Sequence, residues 1–185
     1  ADAWRRDGLT PLIGDVLSPR SLTSLPACDV VLYAVGYDRT AGVDKRAVYV
    51  EGLRNVLDAV AERTQRLIYI SSSSVYGQDA GEWVDEASPT EPKTEGGRIC
   101  LQAEGVLRSS PLAAAGRAVI LRLTGIYGPD RLLTRVESLR QGTPLAGSPE
   151  AWLNLIHVDD AASAVVAAAA HSSREQVAGA LPASV

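Results

Sequence analysis

The chain has 185 residues, 46% of them hydrophobic and 22% charged, with a net charge of −4. That length and balance suit one globular domain with a real core and exclude a disordered or low-complexity chain. Lysines and arginines are scattered and form no basic stripe, so no nucleic acid and no membrane surface is the expected partner.

In chain order, the first candidate strand is the apolar run TPLIGDV, residues 10–16. A second, CDVVLYAVG, covers 28–36. The spacing then predicts a helix over 44–63, with Val48, Leu53, Val56, Leu57 and Val60 on one side. RLIYISSS, 66–73, reads as a third strand. A long loop over 77–97 follows, marked by Gly81, Pro89, Pro92, Gly96 and Gly97, and loops of that length are commonly functional. The next helix, 98–108, is expected to set Leu101 and Leu107 on one side and Glu104 on the other. AVILRLTG, 118–125, is the fourth strand. Helices are then predicted over 132–141, stopping before Gly142, and over 159–170, after His157.

The four strands are near-continuous apolar runs without polar alternation, as in strands covered on both faces. Alternating with helices, they specify an α/β fold with a parallel sheet and right-handed crossovers. In such sheets ligands sit at the carboxyl ends of the strands. Three strand ends carry small or hydroxyl residues: AVGYDRT, the four serines Ser71 to Ser74, and TGIYGPD. From these residues alone, the serines are either the lip of a ligand site or a turn that satisfies its own backbone.

No apolar run reaches membrane-spanning length; the longest, 158–170, is mostly alanine and carries Asp159 and Asp160. Cys28 and Cys100 are too few for a disulfide framework or a zinc site, so metal is not expected and a reducing, cytoplasmic compartment is the default. The chain has no methionine and opens on ADAWRRDG, which reads as part of a longer protein rather than a translation start.

Four blocks, YISSSSVYGQ, VDEASPTEP, LRLTGIYGP and NLIHVDDAA, occur in the order and spacing of the extended short-chain dehydrogenases/reductases. The chain resembles their NAD-dependent epimerase/dehydratase group. The resemblance implies a Rossmann-type parallel sheet with helices on both faces, incomplete because the first βαβ unit is missing. It implies one partial NAD(P)-binding domain over 1–185, with most of the C-terminal substrate region absent. By the resemblance, Asp15 and Val16 face the adenine, and Ala34, Val35 and Gly36 line the dinucleotide. Tyr49 takes a place often held by asparagine, with Asn55 further along. Ile70 and Ser71 join the cofactor lip, and Ser72 is the catalytic hydroxyl. Thr124, Gly125 and Ile126 pack on the nicotinamide ribose side, while His157 to Asp159 form a structural corner.

The family's Tyr-x-x-x-Lys pair, in which the lysine charge lowers the tyrosine pKa, falls on Gly96 and Cys100. Neither residue can do that work, and a shift of register to Lys93 meets Pro89. Arg98 is a candidate substitute for the lysine charge toward a ribose or phosphate. Tyr76 and Tyr127 are expected to pack. The glycine-rich turn that would hold a pyrophosphate has no counterpart before residue 14. These departures resemble the atypical members of the superfamily. The implied functions are an NAD(P)-dependent oxidoreductase or isomerase acting on a nucleotide-sugar-like or other hydroxylated small molecule, a non-catalytic dinucleotide-binding sensor or scaffold, or an inactive fragment. Helices 44–63 and 98–108 could serve a homodimer. A sheet without its first two strands would expose apolar surface, so the segment alone is expected to be marginally stable.

Overall fold

A computed structural model describes residues 2–129, 131, 133–143 and 152–170. A short helix, α1 (Asp2–Arg6), precedes a segment without helix or strand and a single 3-10 turn (Pro19–Leu22) whose Leu22 is buried. Three parallel strands, β1 (Cys28–Tyr33), β2 (Thr64–Ser72) and β3 (Ala118–Leu123), form the sheet in the order β1-β2-β3. Leu67, Ile68 and Tyr69 of the central strand are each at most 2% exposed, as a strand covered on both faces requires.

Between β1 and β2 runs α2 (Gly52–Val60), entered through a π-helical stretch, Ala47–Glu51. Asp44 caps its start by accepting the Ala47 amide. Val50, Leu53, Val56, Leu57 and Val60 recur at helical spacing and bury one stripe against the sheet. Between β2 and β3 come α3 (Glu95–Arg108) and the short α4 (Pro111–Ala114). Thr94 caps α3 by accepting the Gly97 amide. The second face of β2 and β3 is covered by α6 (Val158–Ala170), whose Ala161 and Ala168 are buried. Arg66 holds the C-terminal end of α6 through the Ala168 carbonyl. Before α6, β4 (Gly125–Tyr127) pairs in parallel with β5 (Leu155–His157) in a separate two-stranded sheet; α5 (Leu133–Arg140) lies between them in sequence.

Four expectations change. Residues 10–16 form no strand, and Ile13 is 99% exposed; among the described residues no strand lies beside them to supply hydrogen-bond partners. The run 118–125 breaks at Thr124, where the chain leaves one sheet for the other. Helix α3 begins three residues before position 98, because Thr94 supplies the cap that starts it there. Its inner stripe is Ile99, Ala103, Glu104 and Leu107, so Glu104 points inward and Leu101 is only half-buried. Leu132, the expected start of α5, lies outside the described residues.

Candidate functional site

The strands end level with one another, Tyr33 beside Tyr69 and Ser72 beside Leu123. Residues 34–36, 70–72 and 124–126 therefore gather at the carboxyl edge of the sheet. Ala34 is exposed, and nothing lies within 4 Å of where a Gly36 side chain would begin. Val35 is half-buried against the core. Val16 packs against Gly52, where any side chain would collide with it, and Asn55 donates to the Val16 carbonyl at 2.8 Å. Asp15 turns back on its own loop, its carboxylate accepting the Leu17 amide. These contacts fix the 15–16 segment beside Tyr33, the last residue of β1.

The serines divide their work. Ser71 is buried, and its hydroxyl donates to Glu104 at 2.7 Å, so only its backbone remains at the edge. Ser72 is half-buried on the opposite face of the strand, beside Ile70, and accepts the Ser74 amide. Its own hydroxyl proton has no acceptor among the described residues. Thr124 is half-buried and Ile126 packs into the α6-side core. At Gly125 a side chain would press on the end of the Leu155 side chain of β5.

Helix α3 enters the same edge. A side chain at Gly97 would overlap the Ser74 carbonyl oxygen, so the glycine lets the helix end close on the serine turn. Gly96 leaves a notch filled by Lys45, whose Nζ stands 3.0 Å from where a Cβ would be. The same ammonium lies over the Tyr49 ring, 5.5 Å from its centre. Burial pushes the half-buried Cys100 thiol above its ordinary pKa; the Lys45 charge opposes that shift. Burial also raises the Tyr49 phenol. Arg98 is occupied elsewhere, donating to the Pro92 and Lys93 carbonyls.

Behind the edge lies a buried network that residue patterning did not reveal. Arg122 donates to Glu104 through two nitrogens, at 2.9 and 2.7 Å, and to the Tyr76 hydroxyl at 2.8 Å. Tyr76 in turn donates to the Asp85 carbonyl, tying the 77–97 loop to the sheet. Burial opposes ionisation of Glu104, but hydrogen bonds from Arg122 and Ser71 and the charges of Arg122 and Arg108 outweigh it and hold the carboxyl below its usual range. The one available signal was a glutamate on an otherwise apolar helix stripe together with an arginine inside an apolar strand. Tyr76 thus packs, and Tyr127 stacks edge-on against His157 at 5.1 Å. His157 accepts the Asp159 amide through Nδ1, at the start of α6. In the loop, Asp85 caps its own turn through Ala87 and Ser88, while Trp83 is 84% exposed. Among the described residues no cluster could hold a metal ion, and no helix is long and apolar enough to cross a membrane.

The sequence pattern of the NAD dependent epimerase/dehydratase family matches residues 1–180. Protein YeeZ of Escherichia coli (strain K12) is 36% identical over 119 residues, which are 63% of this chain and 40% of YeeZ. A Methylobacillus flagellatus structure, named among the NAD-dependent epimerases/dehydratases, superposes with TM-score 0.69 at 32% identity, over 88% of this chain and 56% of its own. UDP-glucose 4-epimerase from Brucella ovis, in complex with NAD, superposes with TM-score 0.66 at 25% identity, over 85% and 58%. The chain thus spans between 40% and 58% of the length of these three proteins. With the family pattern running through residues 1–180, on a parallel sheet whose strand ends form one open edge, the chain belongs to the NAD dependent epimerase/dehydratase family.

Proposed function

We propose that this chain is the dinucleotide-binding part of an NAD(P)-dependent oxidoreductase or isomerase acting on a nucleotide-sugar-like or other hydroxylated small molecule. The observation that carries this reading is the open shelf at Ala34 and Gly36, level with Ser72 and Thr124 on the same sheet edge. A flat nicotinamide dinucleotide fits there, because no side chain projects from position 36. Val16, Ile70 and Ile126 would give it apolar walls, with Asp15, Val35, Tyr49, the Ser71 backbone and Gly125 completing the lining. A bound nicotinamide would supply hydride chemistry. Ser72 would orient the substrate by donating its free hydroxyl proton to a carbonyl or hydroxyl oxygen.

A second reading, a dinucleotide-binding sensor or scaffold without turnover, is favoured by Gly96 and Cys100, which give α3 neither a phenol nor a cation. Both cysteines are free thiols, which suits a reducing, cytoplasmic compartment. The groove between α2 and α3, lined by Val50, Leu57 and Val106, is the face we assign to a homodimer.

The test is a titration of NADH and NADPH into the intact natural protein, followed by nicotinamide fluorescence. Saturable binding supports both readings, and its absence overturns both. Ser72→Ala separates them: an enzyme keeps its cofactor affinity and loses turnover of a nucleotide sugar, whereas a scaffold shows no turnover before or after.

A further inference from the structure

We propose that Lys45 is the ligand-binding cation of this edge, its ammonium receiving an acceptor oxygen of the dinucleotide, from a ribose hydroxyl or a phosphate. The inference rests on the dinucleotide reading above.

Lys45 lies two residues before the π-helical stretch that leads into α2. π turns inside helices are frequent at functional sites. A lysine ordinarily extends its charge into water or pairs with a carboxylate. Here the side chain is half-buried, and its ammonium makes no hydrogen bond or ion pair with any described residue. It is held over the Tyr49 ring at 5.5 Å and against the backbone notch of Gly96.

The Tyr49 face stabilises the charge without consuming its hydrogen bonds, so all three N–H donors remain available. A donor-only group calls for an acceptor, and phosphate or diol oxygens are the acceptors a dinucleotide offers. The place is also suitable. Gly97 closes α3 onto the Ser74 carbonyl, which brings Gly96 and its occupant lysine to the serine end of β2. The glycine pair is thereby explained: Gly97 admits the helix and Gly96 admits the lysine from the neighbouring helix.

The ring of Tyr49 lies under this ammonium, and the Lys45 charge acts on the Cys100 thiol of α3, favouring its ionisation where burial and the Glu104 charge oppose it. The thiol is therefore a built-in reporter of the lysine's position.

The experiment compares the intact natural protein with Lys45→Met, Lys45→Arg and, as a surface-charge control, Lys93→Met; Lys93 is exposed and paired with Asp79. NADH affinity is measured across a salt series. Lys45→Met is expected to weaken binding about tenfold or more, Lys45→Arg to restore part of it, and Lys93→Met to leave it unchanged. A shallower salt dependence in Lys45→Met identifies a phosphate partner, and a parallel one identifies ribose hydroxyls. In the ligand-free protein, the pH midpoint of Cys100 alkylation should move up in Lys45→Met, because the cation that opposes the thiol's raised pKa is gone. Equal NADH affinity in wild type and Lys45→Met overturns this inference and leaves the dinucleotide reading standing. An unmoved Cys100 midpoint overturns the placement of the ammonium. No NADH binding by wild type overturns the dinucleotide reading and this inference with it.

Discussion

The two faces of the sheet are built differently. On the α2–α3 face, thirteen buried residues form one core cluster that runs from Leu22 through Leu53 and Leu67 to Leu112. On the α6 face, the described residues form a cluster of five, of which two are alanines. The first face joins long aliphatic side chains from five elements and adds the Ser71–Glu104–Arg122 network. The second rests on small side chains that bring α6 close to β2 and β3. The difference separates two tasks. The thick face fixes where the ends of α2 and α3 stand, and with them Lys45, Gly96 and the serine turn. Ser72 projects on the thin face, where its hydroxyl is not absorbed by a core network.

The sharpest way to break this asymmetry is Glu104→Ala. It leaves Arg122 buried without its carboxylate, and the expected loss is about 3–5 kcal/mol in unfolding free energy by denaturant titration. The pH dependence follows from the same group. The Glu104 pKa is depressed in the folded protein, so its contribution is present above the unfolded carboxylate value, roughly pH 4.3, and is lost as pH falls through the lower folded value. Wild type should lose stability over that acid window, and Glu104→Gln should flatten that loss. Similar acid profiles for the two would count against the network.

Truncations compare the faces directly. Leu53→Ala opens a cavity in the thick core and should cost about 2–5 kcal/mol. Ala161→Gly on the thin face should cost only about 1 kcal/mol, through helix propensity. Equal losses would dissolve the distinction. Gly97→Ala probes the junction of the thick face with the site. Its new methyl group meets the Ser74 carbonyl, and relieving the overlap should cost about 1–3 kcal/mol while moving the start of α3. Thermal denaturation reads the first effect, and the Cys100 alkylation rate reads the second.

Much of the architecture was legible because its physics is local. Continuous apolar runs marked β1, β2 and β3, and helical spacing marked α2 and α6. The strand-end blocks placed 34–36, Ser72 and 124–126 on one edge before any geometry was known. The segment 10–16 looked like a strand for the same local reason, yet a strand exists only if a neighbour takes up its hydrogen bonds, and no periodicity reports that neighbour. Glu104 defeated residue patterning because a charged side chain ordinarily marks an outer face; only the pairing of α3 with β3 brings it Arg122 and makes burial affordable. Gly96 read as a departure from a motif and Gly97 as a loop glycine until α3 was set against Ser74 and Lys45, when each proved to be room for something specific. The amino-acid order by itself thus determined the parallel α/β plan and the edge on which chemistry could occur, since burial periodicity is written residue by residue. Tertiary structure alone decided which serine is free, which glutamate is paired and which lysine fills the notch at Gly96, because each depends on distances between residues far apart in the chain.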